Sequence, residues 1–195
     1  ELSLACQNKI EVRLMVGGAG SAFQKLFSNF EVFYPMLVEL LLNKSDIISG
    51  VDLDVEEMVE LSDIEMLISR LKKDMGENFK ITLAPIQEAL QTNNPGLGGF
   101  VYQDLLRSSV GKEIEFFNGQ FYTDYSLESY DQVVKNGFNP NQVVMGMIAG
   151  GDMSSNFEEL GKVYQKYRNK LGGVFIWEYA LAPANWLEEC LKVFK

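Results

Sequence analysis

The sequence predicts an α/β fold built on a parallel sheet. Two observations lead there. Short apolar runs, most of them stopped by Gly or Pro, alternate with longer amphipathic stretches along the chain. Most run ends also carry polar or aromatic residues: Gly17-Gly18, Glu56, Gln120-Tyr122 and Trp177-Glu178. In parallel α/β folds, ligands collect at the C-terminal ends of the strands.

Taken in order, Ser3 to Asn8 reads as the end of a helix. Val12 to Val16 is a short strand stopped by Gly17-Gly18. Ala22 to Asn43 is a long amphipathic helix with a break expected near Pro35, which has no N–H to give. A strand follows at Gly50 to Glu56. Leu61 to Lys73 is a helix with Leu61, Ile64, Leu67, Ile68 and Leu71 on one face. Phe79 to Ala84 is a strand ended by Pro85, and Asn93 to Gly99 is a loop. Ile114 to Tyr122 is a strand, Leu127 to Asn136 a helix, and Val143 to Ile148 a strand ended by Gly150-Gly151. Phe157 to Leu171 is a helix, Gly173 to Tyr179 a strand, and Asn185 to Val193 a closing helix. There is no internal repeat, linker or low-complexity segment, so residues 1–195 read as one domain.

The strand Gly50 to Glu56 carries the chemistry. Alternate side chains on a strand share a face. Asp52, Asp54 and Glu56 therefore line one face, and Val51, Leu53 and Val55 the other. An edge strand with a solvated acidic face is the ordinary alternative. The apolar flanks Ile47-Ile48 and Met58-Val59 argue against it. Burying adjacent carboxylates is costly unless they share protons or serve a site. The D-x-D spacing also suits a hard divalent cation, which stays the less favoured reading.

Bulk composition narrows the function. The 195 residues suffice for one substantial core. A net charge of −10 without a basic stripe disfavours nucleic acid and anionic membranes, and suits a neutral partner such as a sugar. With no histidine, proton transfer falls to carboxylates, tyrosine, lysine or cysteine. Cys6 and Cys190 make neither a disulfide framework nor a zinc site. The longest apolar run, Met36 to Leu42, is interrupted by Glu39 and too short to span a bilayer.

With these residues in hand, the chain resembles glycoside hydrolase family 18, the chitinase family. Its signature D-G-x-D-x-D-x-E, at the end of barrel strand four, reads here Ser49-Gly50-Val51-Asp52-Leu53-Asp54-Val55-Glu56. Leu14-Met15-Val16-Gly17-Gly18 is similar to the S-x-G-G of strand three, with Met15 in place of the serine. Thr82-Leu83-Ala84-Pro85 is similar to strand five, and Asn118-Gly119-Gln120-Phe121-Tyr122 to the Q-F-Y segment of strand six. Val144-Met145-Gly146 and Gly172-Gly173-Val174-Phe175-Ile176-Trp177 are similar to strands seven and eight.

The resemblance implies a (β/α)8 barrel, a fold of roughly 250 residues. Here it covers strands three to eight only, an incomplete barrel lacking the first two β/α units. The expectation is an open, C-shaped six-stranded sheet with Val12–Val16 and Val174–Tyr179 as edges. The family layout also separates Cys6 from Cys190 by a strand–helix unit, so both are expected unpaired.

By the same resemblance the activity is hydrolysis of β-1,4-linked N-acetylglucosamine polymers, retaining and substrate-assisted. Glu56 is the acid/base. Asp54 orients the substrate's acetamido group, Asp52 exchanges a proton with Asp54, and Tyr122 bonds the acetamido oxygen. Trp177 floors the reacting sugar, Gln120 meets a hydroxyl, and Gly18 completes the substrate-binding set. Ordinary packing competes at Trp177, Tyr122 and Gln120; Met145 and Met147 read as core. No metal or cofactor is called for. The partner is an N-acetylglucosamine-containing oligo- or polysaccharide, and the family implies a secreted parent protein. Two alternatives remain: a chitinase-like lectin that binds sugar without cleaving it, and an endo-N-acetylglucosaminidase acting on N-glycans.

Overall fold

The computed structural model describes residues 2–195, apart from the side chains of residues 2, 3, 6 and 169. The elements run α1 (Leu2–Gln7), β1 (Val12–Gly17), α2 (Ala22–Ser28), α3 (Phe30–Leu42), β2 (Ile48–Asp54), α4 (Leu61–Met75), β3 (Lys80–Leu83) and α5 (Gln87–Gln91). There follow α6 (Tyr102–Arg107), β4 (Ile114–Gln120), α7 (Leu127–Lys135), β5 (Val143–Ile148), α8 (Ser154–Tyr167), β6 (Gly173–Trp177) and α9 (Trp186–Val193). They gather into two compact units. One runs up to Ala84 and includes Pro95–Glu115. The other comprises Pro85–Asn94 and Phe116–Lys195.

In the first unit, β2 lies between β1 and β3 in parallel register. Val51, Leu53 and Val55 form its apolar face and are buried. The helical spacing of Ile64, Leu67, Ile68 and Leu71 gives α4 one apolar face, and all four are fully buried. Each contributes about 1.5–3 kcal/mol by leaving water. Gly76 ends the helix at φ +93°, a conformation that favours glycine. At the N-terminal ends of the strands, Arg13 pairs with Glu11 at 3.0 Å and also with Glu115, which Lys80 meets at 3.2 Å.

In the second unit β4, β5 and β6 run parallel in that order. Met147, Met153, Leu160 and Cys190 form a buried cluster, packed by Phe157, Ile176 and Trp186. Trp186 points its Nε1–H at the Met147 sulfur, 3.4 Å away. Met145 and Met147 are both core, as expected. Cys190 is a free, buried thiol, and burial pushes its pKa up to about 11. The Cys6 side chain lies outside those described. Among the described residues, β1 pairs only with β2, and β6 only with β5, so each is a strand edge. No described helix is long and apolar enough to cross a membrane.

Several boundaries differ from the sequence reading. The helix expected over Ala22 to Asn43 is two helices. The break falls at Asn29, a turn residue whose φ −153°, ψ 74° is not helical, and Pro35 sits inside α3. Strand β2 ends at Asp54, β4 at Gln120 and β6 at Trp177, so Glu56, Tyr122 and Tyr179 stand just beyond strand ends. The short helices α5 and α6 carry too few turns to show a period.

Three tyrosines couple the fold to pH. Tyr34, Tyr102 and Tyr130 are buried, and burial is the largest influence raising each phenol pKa. Tyr34 also donates to Asp74 at 3.0 Å, and Tyr130 donates to the carbonyls of Pro140 and Val143. Unfolded tyrosine ionises near pH 10. Because the folded values lie higher, the stabilisation is complete below that pH and is lost as pH rises above it. Urea midpoints should therefore hold up to about pH 10 and fall beyond it. Tyrosinate absorbance should show these three ionising only as the protein unfolds; reversible ionisation in the folded state would contradict the packing described.

Candidate active site

The acidic run folds as its alternation demands. Asp52 and Asp54 are each 8% exposed, on a strand whose apolar residues are fully buried. The odd spacing from Ser49 to Asp52 is absorbed by a bulge. Val12 pairs with Ile48 but Arg13 with Gly50, leaving Ser49 as the extra residue. Its hydroxyl donates to the Val12 carbonyl at 3.2 Å, so this departure from the signature serves β1 and not the acidic row.

Each aspartate has a neighbour fixed by register. Thr82 sits beside Asp52 on β3, and its hydroxyl donates to Asp52 Oδ1 at 2.6 Å. On the other side Asp52 lies in register with Met15. Gly17 sits beside Asp54. With φ +106°, a Cβ there would lie 2.1 Å from the Asp54 carbonyl oxygen. Gly18, at φ +83°, donates its N–H to that same carbonyl at 2.8 Å. The Gly17-Gly18 pair is thus the turn that lets β1 end against Asp54.

Glu56 follows β2 and is partly exposed. Its neighbour Glu57 is buried and faces the other way. Both its carboxylate oxygens cap α2, accepting the N–H of Phe23 at 3.1 Å and of Gln24 at 2.9 Å. Ser21, at the N-cap position, makes no side-chain cap. No local pattern signals this role, because the partners are 34 and 33 residues away. Tyr102 was also missed. It is 1% exposed, and the charges acting on its phenol are those of Asp54, Asp52 and Glu56, in that order. Burial first, then these three carboxylates, hold it protonated far above the usual range.

The second unit brings together the predicted aromatic residues. Tyr122 and Trp177 stack, with ring centroids 6.0 Å apart and planes 26° apart. Phe175 meets Tyr122 edge-on at 6.4 Å. Trp177 is 51% exposed at the end of β6, so it is not packed away in a core, and a cis peptide joins it to Glu178. Gln120 closes β4 and donates its backbone N–H to Pro85 at 2.9 Å, leaving the side chain partly exposed. Among the described residues, no three potential ligands are arranged to hold a metal ion.

Solved structures share the fold. A fungal endo-β-N-acetylglucosaminidase of glycosyl hydrolase family 18 is 29% identical, with TM-score 0.83 over 98% of this chain and 75% of that one. The chitinase ChiC from Aspergillus fumigatus is 29% identical, with TM-score 0.84 over 99% and 76%. The C-terminal domain of Legionella pneumophila ChiA shares the fold at 14% identity, with TM-score 0.76. No protein-family profile and no curated protein sequence matches the chain. The chain has the chitinase-like fold of glycoside hydrolase family 18, as part of a (β/α)8 barrel. These likenesses support a glycoside hydrolase.

The Glu57 cap has a measurable consequence. Glu57→Ala leaves two helix-end donors without an acceptor and should cost about 1–3 kcal/mol in urea denaturation. Glu57→Gln keeps one acceptor oxygen and should cost less. Equal, near-zero effects of both would refute the cap.

Proposed function

We propose that this protein is a retaining, substrate-assisted glycosidase acting on β-1,4-linked N-acetylglucosamine. The observation that carries the reading is the acidic row. Asp52 and Asp54 are buried at the C-terminal end of β2, and Glu56 stands beyond them with access to solvent. Glycoside cleavage needs an acid at the leaving oxygen and stabilisation of an oxocarbenium-like transition state. Glu56 gives and retakes that proton. Asp54 orients the 2-acetamido group, whose oxygen attacks the anomeric carbon as the leaving oxygen departs with the Glu56 proton. The oxazolinium ion so formed is opened by a water that returns a proton to Glu56, with configuration retained. Asp52, which accepts the Thr82 hydroxyl, exchanges a proton with Asp54. Tyr122 bonds the acetamido oxygen, Trp177 floors the sugar, and Gln120 and Gly18 complete the binding set. An apolar ring face suits the C–H face of a pyranose. The similar structures support a partner containing N-acetylglucosamine.

A second substrate is favoured by one observation: one of the two structures at 29% identity is an endo-β-N-acetylglucosaminidase. Chitooligosaccharide and an N-glycosylated protein are therefore to be offered side by side.

The test is release of a fluorophore from a chitotrioside, with the first product's anomer read by proton NMR. The β-anomer should appear first. Glu56→Gln should lower turnover by about 10²–10⁴-fold or more while sugar binding persists. Asp54→Asn should also cut turnover strongly and alter the pH profile, because neighbouring carboxylates titrate together. Near-normal turnover of Glu56→Gln, or an α-anomer as first product, would defeat the mechanism. EDTA should change nothing; inhibition by it would favour a metal site.

A further inference from the structure

Tyr122 lies past Gln120, the last residue of β4, so the strand ladder alone does not fix it. The segment from Pro85 to Gln87 runs beside this stretch. Gln120 donates its N–H to the Pro85 carbonyl, and Ile86 pairs with Gln120 as an isolated parallel bridge. Beyond Tyr122 the Gln87 side chain takes over. Its Oε1 accepts the Thr123 hydroxyl at 3.1 Å and the Asp124 N–H at 3.2 Å. Its Nε2 donates to the Ser129 hydroxyl oxygen on α7 at 3.1 Å. A backbone N–H can only donate, so the amide oxygen must face Asp124 and the nitrogen Ser129. Gln91 also donates to Ser129, at both its hydroxyl oxygen and its carbonyl. Gln87 is 7% exposed and Ser129 fully buried. Hydrogen bonds in a buried, satisfied network are strong and fix one geometry. Tyr122 thus stands between two anchors from one short segment, Pro85 before it and Gln87 after it. Its ring stacks on Trp177.

We propose that Gln87 is a positioning residue for the proposed reaction: by fixing the chain at Thr123-Asp124, it holds Tyr122 against Trp177, where the phenol bonds the acetamido oxygen. The purpose rests on the function proposed above; the placement does not.

The test is steady-state kinetics on the chitotrioside together with carbon-13 NMR of the Tyr122 ring in the whole chain. Gln87→Leu removes the acceptor with little change in volume. Gln87→Glu keeps it, since the Ser129 hydroxyl can turn to donate in place of the lost amide N–H. In Gln87→Leu, kcat and kcat/KM should fall together by about 10–100-fold, the mark of a contact made in the transition state. Gln87→Glu should recover most of that loss. In a Tyr122→Phe background Gln87→Leu should cost little more, because residues that act as one unit are not additive. The Tyr122 ring signals should shift in Gln87→Leu and return in Gln87→Glu, since Trp177 stacks on that ring. A folded Gln87→Leu with a lowered Tm but unmoved rates and ring signals would overturn the proposal and leave Gln87 a packing residue. An undiminished further loss in the Tyr122→Phe background would overturn it as well. If Gln87→Leu does not fold, Gln87→Asn, polar but one methylene shorter, decides on the same readings. The ring signals are read whether or not the chain cleaves glycans. An inactive chain whose ring signals shift and recover refutes the function and upholds the placement. An active chain with unmoved rates refutes Gln87 alone.

Discussion

Two carboxylates buried on a central strand are the constraint from which the first unit follows. Taking an ionised carboxylate out of water costs several kcal/mol unless donors replace the water. The residues flanking β2 answer that cost one by one. Thr82 lies in register with Asp52 and donates to it. Glycines let the neighbouring backbones close in. A Cβ at Gly50 would stand 2.3 Å from the Lys80 carbonyl, and one at Gly17 even nearer the carbonyl of Asp54. Larger residues at either position would push β1 or β3 away and open the row to water.

Adjacent glutamates then take opposite tasks because of which way they face. Glu56 follows the acidic side of β2, and Glu57 turns to the helix layer and caps α2. Nothing in their chemistry separates them. The ends of the strands differ in a similar way. The N-terminal ends carry ion pairs such as Arg13 with Glu11 and Lys80 with Glu115, in which every charge has an opposite. At the C-terminal end of β2 the carboxylates stand with a neutral phenol and a threonine, an arrangement suited to moving protons.

Much of this was legible in the sequence. The alternation of Val51, Leu53 and Val55 with Asp52, Asp54 and Glu56 fixed the faces of β2, because a strand has a period of two. The period of α4 was equally plain. What escaped notice depends on residues far apart in the chain. Thr82 looked like one more strand residue until register set it beside Asp52. Glu57 and Tyr102 act across tens of residues, and no local pattern records that. The break at Asn29 was missed because Pro35 was the stronger local signal, yet Pro35 sits inside α3. Ser49 departs from the signature, and only the bulge explains how the strand accommodates it.

In the proposed mechanism the row binds the substrate's own acetamido group as it becomes the nucleophile. A thiazoline analogue of the oxazolinium ion mimics that intermediate, and transition-state mimics bind far more tightly than substrates. Isothermal titration of the chain with N-acetylglucosamine-thiazoline is the most direct measurement. Binding should be at least about a hundredfold tighter than that of N-acetylglucosamine and be abolished by Asp54→Asn. Equal affinity for the two ligands, or thiazoline binding that survives Asp54→Asn, would contradict it.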